Sequence, residues 1–244
     1  MPSPKTITFF GATAGCGLSA LRRALAAGHT CVALCRKPAK MDALFPDKPA
    51  NLVLKQGNAH DAAAVAAVLT CPGDATRLVD AVSFSIGAAV RMPSMTMDDP
   101  HVCEKGMATL LEALATLRAA GASGRPLVTM VSTTGISPHG RDVPLLLVPL
   151  YHLALRVPHE DKRIAENRLM ASGERFVIVR ASLLVDGEKP DREVRVHVEG
   201  RGGIERKAVG YYISREDVGR WMFENLLRSA GASEYECKAV GLTW

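Results

Sequence analysis

Short apolar runs alternate with amphipathic segments along most of the chain. Runs rich in β-branched and aromatic residues predict buried strands, and six of them lie at 5–10, 29–35, 52–58, 80–86, 126–132 and 176–180. Apolar residues repeat with helical spacing at 18–27, 62–69, 102–120 and 162–171. This alternation predicts a Rossmann-type, doubly wound α/β fold with a mainly parallel sheet and helices on both faces.

Two segments, at about 135–160 and 183–212, do not fit the alternation. No linker or repeat divides the chain, so residues 1–244 are expected to form a single domain with a small C-terminal substrate-binding portion. Because sheets of this kind bind ligands beyond the carboxyl ends of their strands, we expect both segments to gather there. Ser214, three places before Asp217, is expected to cap a last helix.

The composition of the chain indicates which classes of binding partner are to be expected. Its 48% apolar residues are sufficient for a large core, and the net charge of +5 comes from basic residues that are spread along the sequence. This predicts a solvated surface and no nucleic-acid partner. No uncharged apolar run is long enough to span a bilayer and no signal peptide is recognisable, so we expect no membrane partner and a cytoplasmic location. Six cysteines without a paired motif or His cluster predict reduced, mostly buried thiols and no metal site.

The stretch FFGATAGCG at 9–17 joins the first strand to the first helix. Small residues in such a turn let the backbone approach a pyrophosphate, whose charge is met by free amides at the helix N-terminus. The glycines can be aligned in two registers. G-x-x-x-G-x-G is complete at Gly11, Gly15 and Gly17, whereas G-x-x-G-x-x-G has Ala14 in place of its middle glycine. Either register predicts dinucleotide binding.

The end of the second strand indicates which dinucleotide is bound. NAD-specific sites usually carry an acidic residue there, about 20 positions after the glycines. This chain has RKPAK at 36–40 instead, with no carboxylate before Asp42. The fixed charge of Arg36 and its neighbours suits the 2′-phosphate of NADP(H), although a solvated basic turn is the alternative interpretation.

Further motifs point to one branch of a superfamily. A classical short-chain dehydrogenase/reductase carries a Y-x-x-x-K pair and the strand-four signature N-N-A-G. In this chain no tyrosine is followed by lysine four places on, and N-N-A-G is absent. FFGAT, Arg36, VSTTG at 131–135 and the segments 159–184 and 213–227 instead resemble the atypical branch, the NmrA-like and biliverdin-reductase-B-like NAD(P)H-binding proteins. That resemblance implies a Rossmann fold and NADP(H).

The resemblance also implies cofactor contacts from several loops, position by position. Around the pyrophosphate it implies Gly11, Thr13, Ala14, Gly15, Cys16 and Gly17. It implies Arg36 on the 2′-phosphate, Asn58 near the adenine, and Ser85, Ile86 and Gly87 along the adenosine and ribose. Near the nicotinamide it implies Ser132, Thr133, Lys162, Ala181, Ser182 and Leu183, although relatives often have proline where Ala181 follows arginine.

Three residues are candidates for the chemistry. Lys162 could bind the ribose or polarise an acceptor oxygen, although it could also pair with Glu166 at i,i+4 at the start of a helix with Asp161 in its first turn. Ser132 could orient the acceptor oxygen, or be an ordinary turn residue. Tyr151, in the apolar stretch PLLLVPLYHLAL, could donate a proton from the wall of a substrate pocket, or be a core tyrosine.

Together these features predict an NADPH-dependent oxidoreductase that transfers hydride to a small apolar carbonyl, quinone, flavin or polyphenolic substrate. The alternative is a non-catalytic, NADP(H)-sensing NmrA-like regulator. An epimerase or dehydratase of the extended branch is disfavoured by the missing tyrosine–lysine pair. The oligomeric state stays open between monomer and homodimer.

Overall fold

The structure, a computed structural model, describes residues 3–87, 90–91, 96–97, 99–149, 155–231 and 233–244. Its α-helices are α1 (Gly15–Ala26), α2 (Pro38–Leu44), α3 (Ala62–Leu69), α4 (Val102–Ala119), α5 (Arg156–Ala171) and α6 (Arg215–Met222), with a π-helical turn following at Phe223–Leu227. Its strands are β1 (Thr6–Phe10), β2 (Thr30–Cys35), β3 (Leu52–Gln56), β4 (Thr70–Cys71), β5 (Asp74–Leu78), β6 (Ala81–Phe84), β7 (Val90–Arg91), β8 (Thr96–Met97), β9 (Leu127–Thr133), β10 (Arg175–Ala181), β11 (Leu183–Val185), β12 (Arg195–Gly200), β13 (Gly203–Arg206), β14 (Tyr212–Ser214) and β15 (Lys238–Thr243).

Nine strands form one sheet in the order β13-β12-β15-β10-β9-β6-β1-β2-β3. From β3 to β15 every neighbouring pair is parallel, whereas β12 runs antiparallel to both β15 and β13. The chain leaves β1 towards β2 on one side and returns to β6 on the other. The strand order therefore reverses at β1 and β6, which is where doubly wound sheets form their ligand crevice.

The central strands are buried on both faces, as expected of parallel strands covered by helices. Along β10, Phe176 and Ile178 join a core cluster with α3, α4 and α5, whereas Val177 and Val179 join one with α1 and α6. Side chains of a strand point alternately to its two faces, so each face receives its own helix layer. The predicted fold class is thus confirmed.

The six predicted strands and four predicted helices all form, with shifted ends in most cases. The helix expected at 162–171 begins six residues earlier, at Arg156, so Asp161 lies beyond its first turn. Ser214 caps α6 as predicted, because its side chain accepts a hydrogen bond from the Asp217 amide. The expectation that all of 183–212 lies beyond the strand ends is wrong in part, because β12 and β13 extend the sheet at its edge.

The cysteines follow the prediction of reduced, mostly buried thiols. All six are free, and five are buried, with Cys237 exposed. Within the described ranges, no helix is both long and apolar enough to cross a membrane.

Candidate cofactor and substrate site

Loops from four parallel strands meet at the carboxyl edge of the sheet. The amide of Ser85, just past β6, donates to the carbonyl of Phe10 at the end of β1 over 2.9 Å. On the other side of β6, Ser132 of β9 is in register with Arg180 of β10. This alignment brings together the loops after β1, β6, β9 and β10, which carry most of the predicted cofactor residues.

The glycine turn after β1 is packed directly against the loop after β6. Gly11 has a φ of +78°, and a Cβ there would lie 2.5 Å from the Ser85 carbonyl oxygen. A Cβ at Gly17 would lie 2.7 Å from the Gly11 carbonyl oxygen. Ala14 is extended, with φ −166°, a backbone that any residue adopts. The turn therefore uses Gly11, Gly15 and Gly17, and has no need of a glycine at Ala14.

The N-terminus of α1 faces this crevice and has no side-chain cap among the described residues. Ala14 supplies no side-chain hydrogen bond, and the first turn contains no acidic residue. Thr13 is half-buried beside it, and Cys16 is buried. Burial raises the pKa of the Cys16 thiol to about 12, against the opposing effect of the positive charges of Lys162 and Arg215. Free amides and a neutral thiol suit an anionic group.

The basic turn after β2 is exposed to solvent. Arg36 follows Cys35, the last residue of β2, and it forms no ion pair within the described part of the chain. Lys37 and Lys40 beside it are also exposed. Asn58 lies just past β3, exposed, and its side-chain oxygen accepts from the His60 amide over 3.2 Å. These residues leave an uncompensated positive charge two strands away from β6.

Two serine hydroxyls in the crevice are buried and without a hydrogen-bond partner among the described residues: those of Ser85 and Ser132. Buried hydroxyls are normally paired, so each unpaired one requires an explanation, and a ligand supplies one. Beyond Ser85, Ile86 is half-buried and Gly87 is exposed. Thr133, beside Ser132, donates instead to the carbonyl of Thr134 over 3.1 Å.

Lys162 reaches the same end of β9. Its ammonium donates to the carbonyl of Val131 over 3.0 Å, which uses one of three available protons. The alternative i,i+4 pair with Glu166 does not form, because that carboxylate binds Arg180. Asp161 has a structural role instead, since its two oxygens accept from the amides of Cys103 and Glu104 at the start of α4, over 2.9 and 2.8 Å.

A buried ionic cluster holds α5 and β12 onto β10. Arg180, 3% exposed, lies between the carboxylates of Glu166 and Glu199, with nitrogen–oxygen distances of 2.8 and 2.7 Å. Glu199 also accepts from Ser137 and His197. Burial alone would raise the pKa of Glu199, but these hydrogen bonds and the charge of Arg180 outweigh it and lower the pKa. The cluster thereby fixes the helix that carries Lys162.

The loop after β10 is tied to its neighbours through the backbone. The amide of Thr134 donates to the carbonyl of Ala181 over 3.1 Å, and the amide of Ser182 donates to the carbonyl of Leu242. Leu183 then opens β11, which pairs in parallel with β14 from Tyr212 onwards. All three predicted loop residues thus lie at the carboxyl edge, next to the loop after β9.

One predicted site residue lies outside the described residues, and one further residue beside the glycine turn was not predicted from the sequence. Tyr151, the third catalytic candidate, lies outside the described residues. Arg215 was missed. Its aliphatic stem lies against Gly15, so that a Cβ there would be 3.2 Å from Arg215 Cδ. The adjacent capping signal accounts for Ser214 and Asp217, and nothing in the sequence relates position 215 to the glycine turn.

The sequence matches the profile of a known protein family. A profile described as NAD(P)H-binding matches residues 11–229. The chain belongs to this NAD(P)H-binding family. The match spans the glycine turn and all four loops of the crevice. The close packing at Gly11 and the hydroxyls of Ser85 and Ser132, which have no partner in the part of the chain that the structure describes, fit such a ligand. The predicted cofactor is confirmed as NAD(P)H.

Two relatives are similar over nearly their whole length. A protein named reductase pytE, from Aspergillus terreus, is 38% identical and covers 99% of both chains. A protein named oxidase pynE, from Aspergillus niger, is 32% identical over 99% of this chain and 100% of its own. This member of the NAD(P)H-binding family is accordingly an NAD(P)H-dependent oxidoreductase.

Solved structures share the fold. A wide-type short-chain dehydrogenase/reductase from Veillonella parvula, in complex with NADP, superposes with a TM-score of 0.74 at 17% identity, over 99% of this chain and 95% of that one. ChuY, an anaerobillin reductase from Escherichia coli O157:H7, gives a TM-score of 0.65 at 21% identity, over 97% and 96%. These structures confirm the predicted Rossmann-type fold, and the predicted NAD(P)H-binding family is the one whose profile matches the chain.

Proposed function

We propose that the protein uses NADPH to reduce a small apolar molecule, a carbonyl compound, quinone, flavin or polyphenol, at the carboxyl end of β9. The observation that carries this proposal is the buried hydroxyl of Ser132, which has no hydrogen-bond partner among the described residues and lies next to the residue whose carbonyl holds the Lys162 ammonium. A hydroxyl and an ammonium with unused protons beside a nicotinamide site can together bind an oxygen that gains negative charge. The name of the Aspergillus terreus relative, a reductase, supports reduction as the direction.

Bound NADPH would supply the hydride from its nicotinamide C4. Ser132, beside the nicotinamide, would donate its hydroxyl proton in a hydrogen bond to the acceptor oxygen. Lys162 would direct its two remaining protons to the cofactor ribose or to the acceptor oxygen, where positive charge stabilises the developing oxyanion. The proton that neutralises this oxygen would come from Lys162, from Tyr151 or from solvent, and Tyr151 stays a prediction from the sequence.

The preference for NADPH over NADH rests on the basic turn. Arg36 carries a permanent charge and five donors, which match the oxygens of a 2′-phosphate. Because Arg36 is free of a carboxylate partner among the described residues, no ion pair has to be broken when the phosphate binds. The remaining cofactor residues of the turn, the Ser85 loop and the 181–183 loop keep their proposed roles.

The segments 135–160 and 183–212 are proposed as the substrate side of one domain. Large apolar side chains are exposed on both, with Leu145 and Leu146 at 72% and 79% and Tyr211 and Tyr212 at 44% and 47%. Such surface suits a small apolar or aromatic substrate. Free cysteines agree with a reducing compartment, which makes the cytoplasm part of the proposal.

The proposal is tested with purified protein, NADPH and a panel of apolar carbonyls, quinones, flavins and polyphenols. For an acceptor that is reduced, Ser132→Ala is expected to lower kcat by about 10- to 100-fold, the effect of losing one hydrogen bond of 1.4–2.8 kcal/mol, with the Kd for NADPH nearly unchanged. Lys162→Met is expected to lower kcat and weaken NADPH binding.

Arg163→Met is the matched control for Lys162, because Arg163 is the next residue, is exposed and pairs with Glu160 on the helix surface. It is expected to behave like the wild type. NADPH binding without turnover of any acceptor would instead support the sensor. Full activity of both Ser132→Ala and Lys162→Met would remove these residues from the reaction.

A further inference from the structure

Arg215, the first residue of α6, lies between the glycine turn and the substrate side of the molecule. Its stem covers Gly15, with a distance of 3.9 Å from the Gly15 Cβ position to Arg215 Nε. Its Nη1 donates to the Leu184 carbonyl over 3.3 Å and to Asp186 over 2.8 Å. Its Nε and Nη2 have no hydrogen-bond partner within the described residues. A guanidinium with unused donors is therefore held at the first residue of α1.

The surroundings of this guanidinium favour an anion. The first turn of α1 offers amides and no acidic side chain. The positive charges of Lys162 and Arg215 both act on Cys16, the second residue of α1, and outweigh the smaller opposing effect of the negative charge of Glu216. The acidic partner Asp186 is 83% exposed, so the ion pair between them lies at the surface and is weak.

We propose that Arg215 binds the cofactor diphosphate at the N-terminus of α1 and exchanges the carboxylate of Asp186 for a phosphate oxygen when the dinucleotide enters. Arg215 differs in this from Arg36, which is proposed to recognise only the 2′-phosphate. Through the Leu184 carbonyl it also links the bound cofactor to β11, one border of the substrate side. The inference rests on the proposed placement of the dinucleotide at the β1–α1 turn.

Equilibrium titrations of NADPH and NADH, followed by nicotinamide fluorescence, test the assignment without any substrate. Arg215→Gln is expected to raise the Kd for both dinucleotides by the same factor, about tenfold or more, as for loss of a charge-assisted hydrogen bond. Arg36→Ala is expected to raise only the Kd for NADPH. Asp186→Asn, which removes the competing carboxylate, is expected to leave both affinities unchanged or to tighten them.

Arg23→Gln is the matched control. Arg23 lies near the other end of α1 and pairs with Glu188 at 2.5 Å, so its loss removes the same charge and a similar ion pair away from the turn. It is expected to leave both Kd values unchanged. Thermal unfolding of each variant, without ligand, verifies that the fold is retained.

If Arg215 only tethers α6 to β11, then Arg215→Gln and Asp186→Asn weaken binding equally or not at all, and the inference is overturned. Wild-type affinities in Arg215→Gln, with NADPH selectivity lost in Arg36→Ala, would overturn it while the proposed function stands. A wild-type protein that binds neither dinucleotide would overturn both. Should Arg215→Gln unfold, Arg215→Lys keeps the charge and is expected to give an intermediate Kd, whereas a wild-type Kd would count against a guanidinium contact.

Discussion

Gly11 and Gly28 form a matched pair for measuring how tightly the glycine turn is packed. Their φ angles are +78° and +80°, so an alanine at either position must adopt a left-handed backbone. That conformation costs an L-residue about 1–2 kcal/mol. Only at Gly11 does the added methyl meet backbone, 2.5 Å from the Ser85 carbonyl oxygen, whereas nothing lies within 4 Å at Gly28.

The two substitutions are therefore expected to differ by the cost of that contact. Overpacking costs about 1–3 kcal/mol, so Gly28→Ala should lose about 1–2 kcal/mol of unfolding free energy and Gly11→Ala about 2–5 kcal/mol. In a chain of this size each kcal/mol lowers Tm by about 2–4 °C. Urea and thermal unfolding of the two variants and the wild type, side by side, measure the difference.

NADPH affinity provides a second readout of the same contact. Relief of the overlap at Gly11 must displace either the turn or Ser85, both of which are proposed to line the dinucleotide. The Kd for NADPH is expected to rise about tenfold or more in Gly11→Ala and to stay at the wild-type value in Gly28→Ala. Equal stability and equal affinity of the two variants would refute the packing that we describe.

The remaining predictions concern charge. Arg36→Ala should raise the Kd for NADPH about tenfold and leave that for NADH unchanged; equal effects in parallel titrations would show that Arg36 does not distinguish them. Arg180→Met leaves Glu166 and Glu199 buried without their cation and should cost about 3–5 kcal/mol in urea unfolding at neutral pH, a prediction that a loss below 1 kcal/mol contradicts. Because the pKa of Glu199 is lowered in the folded protein, its stabilisation is complete above the unfolded value of about 4.3 and is lost as the pH falls through the lowered value. Glu199→Gln should therefore reduce the loss of unfolding free energy at acid pH, measured by urea unfolding as a function of pH. An unchanged acid side of this profile would show that Glu199 does not contribute to it.

The sequence predicts the parallel core well because each central strand carries its own signal. Strands buried on both faces read as apolar runs, and β1, β2, β9 and β10 all do so. The edge hairpin lacks this signal. His197 and Glu199 in β12 are buried, and Glu199 is paired both with Arg180 from another strand and with His197. A pairing between distant positions of this kind cannot be recognised in one sequence.

Some features of the candidate site could likewise be predicted from the sequence, and others could not. The glycine turn and the Ser85 loop could be predicted because each directly follows an apolar strand, and Ser132 because it lies near the end of one. The helical signal around Lys162 allowed a local pair with Glu166, whereas the structure uses Glu166 for Arg180 and Asp161 for the start of α4. The place of Arg215 in the site could not be predicted, because its side chain meets Gly15 only in the folded chain.

The central claim is that the protein binds NADPH at the β1–α1 turn and passes its hydride to a small molecule near Ser132. The most direct test uses NADPH deuterated on one or the other face of nicotinamide C4, with the acceptor panel, and measures deuterium in the NADP⁺ produced by mass spectrometry. A single bound orientation predicts complete loss of label from one face and complete retention from the other. Tight NADPH binding with no NADP⁺ formed, or equal loss from both faces, would contradict the claim.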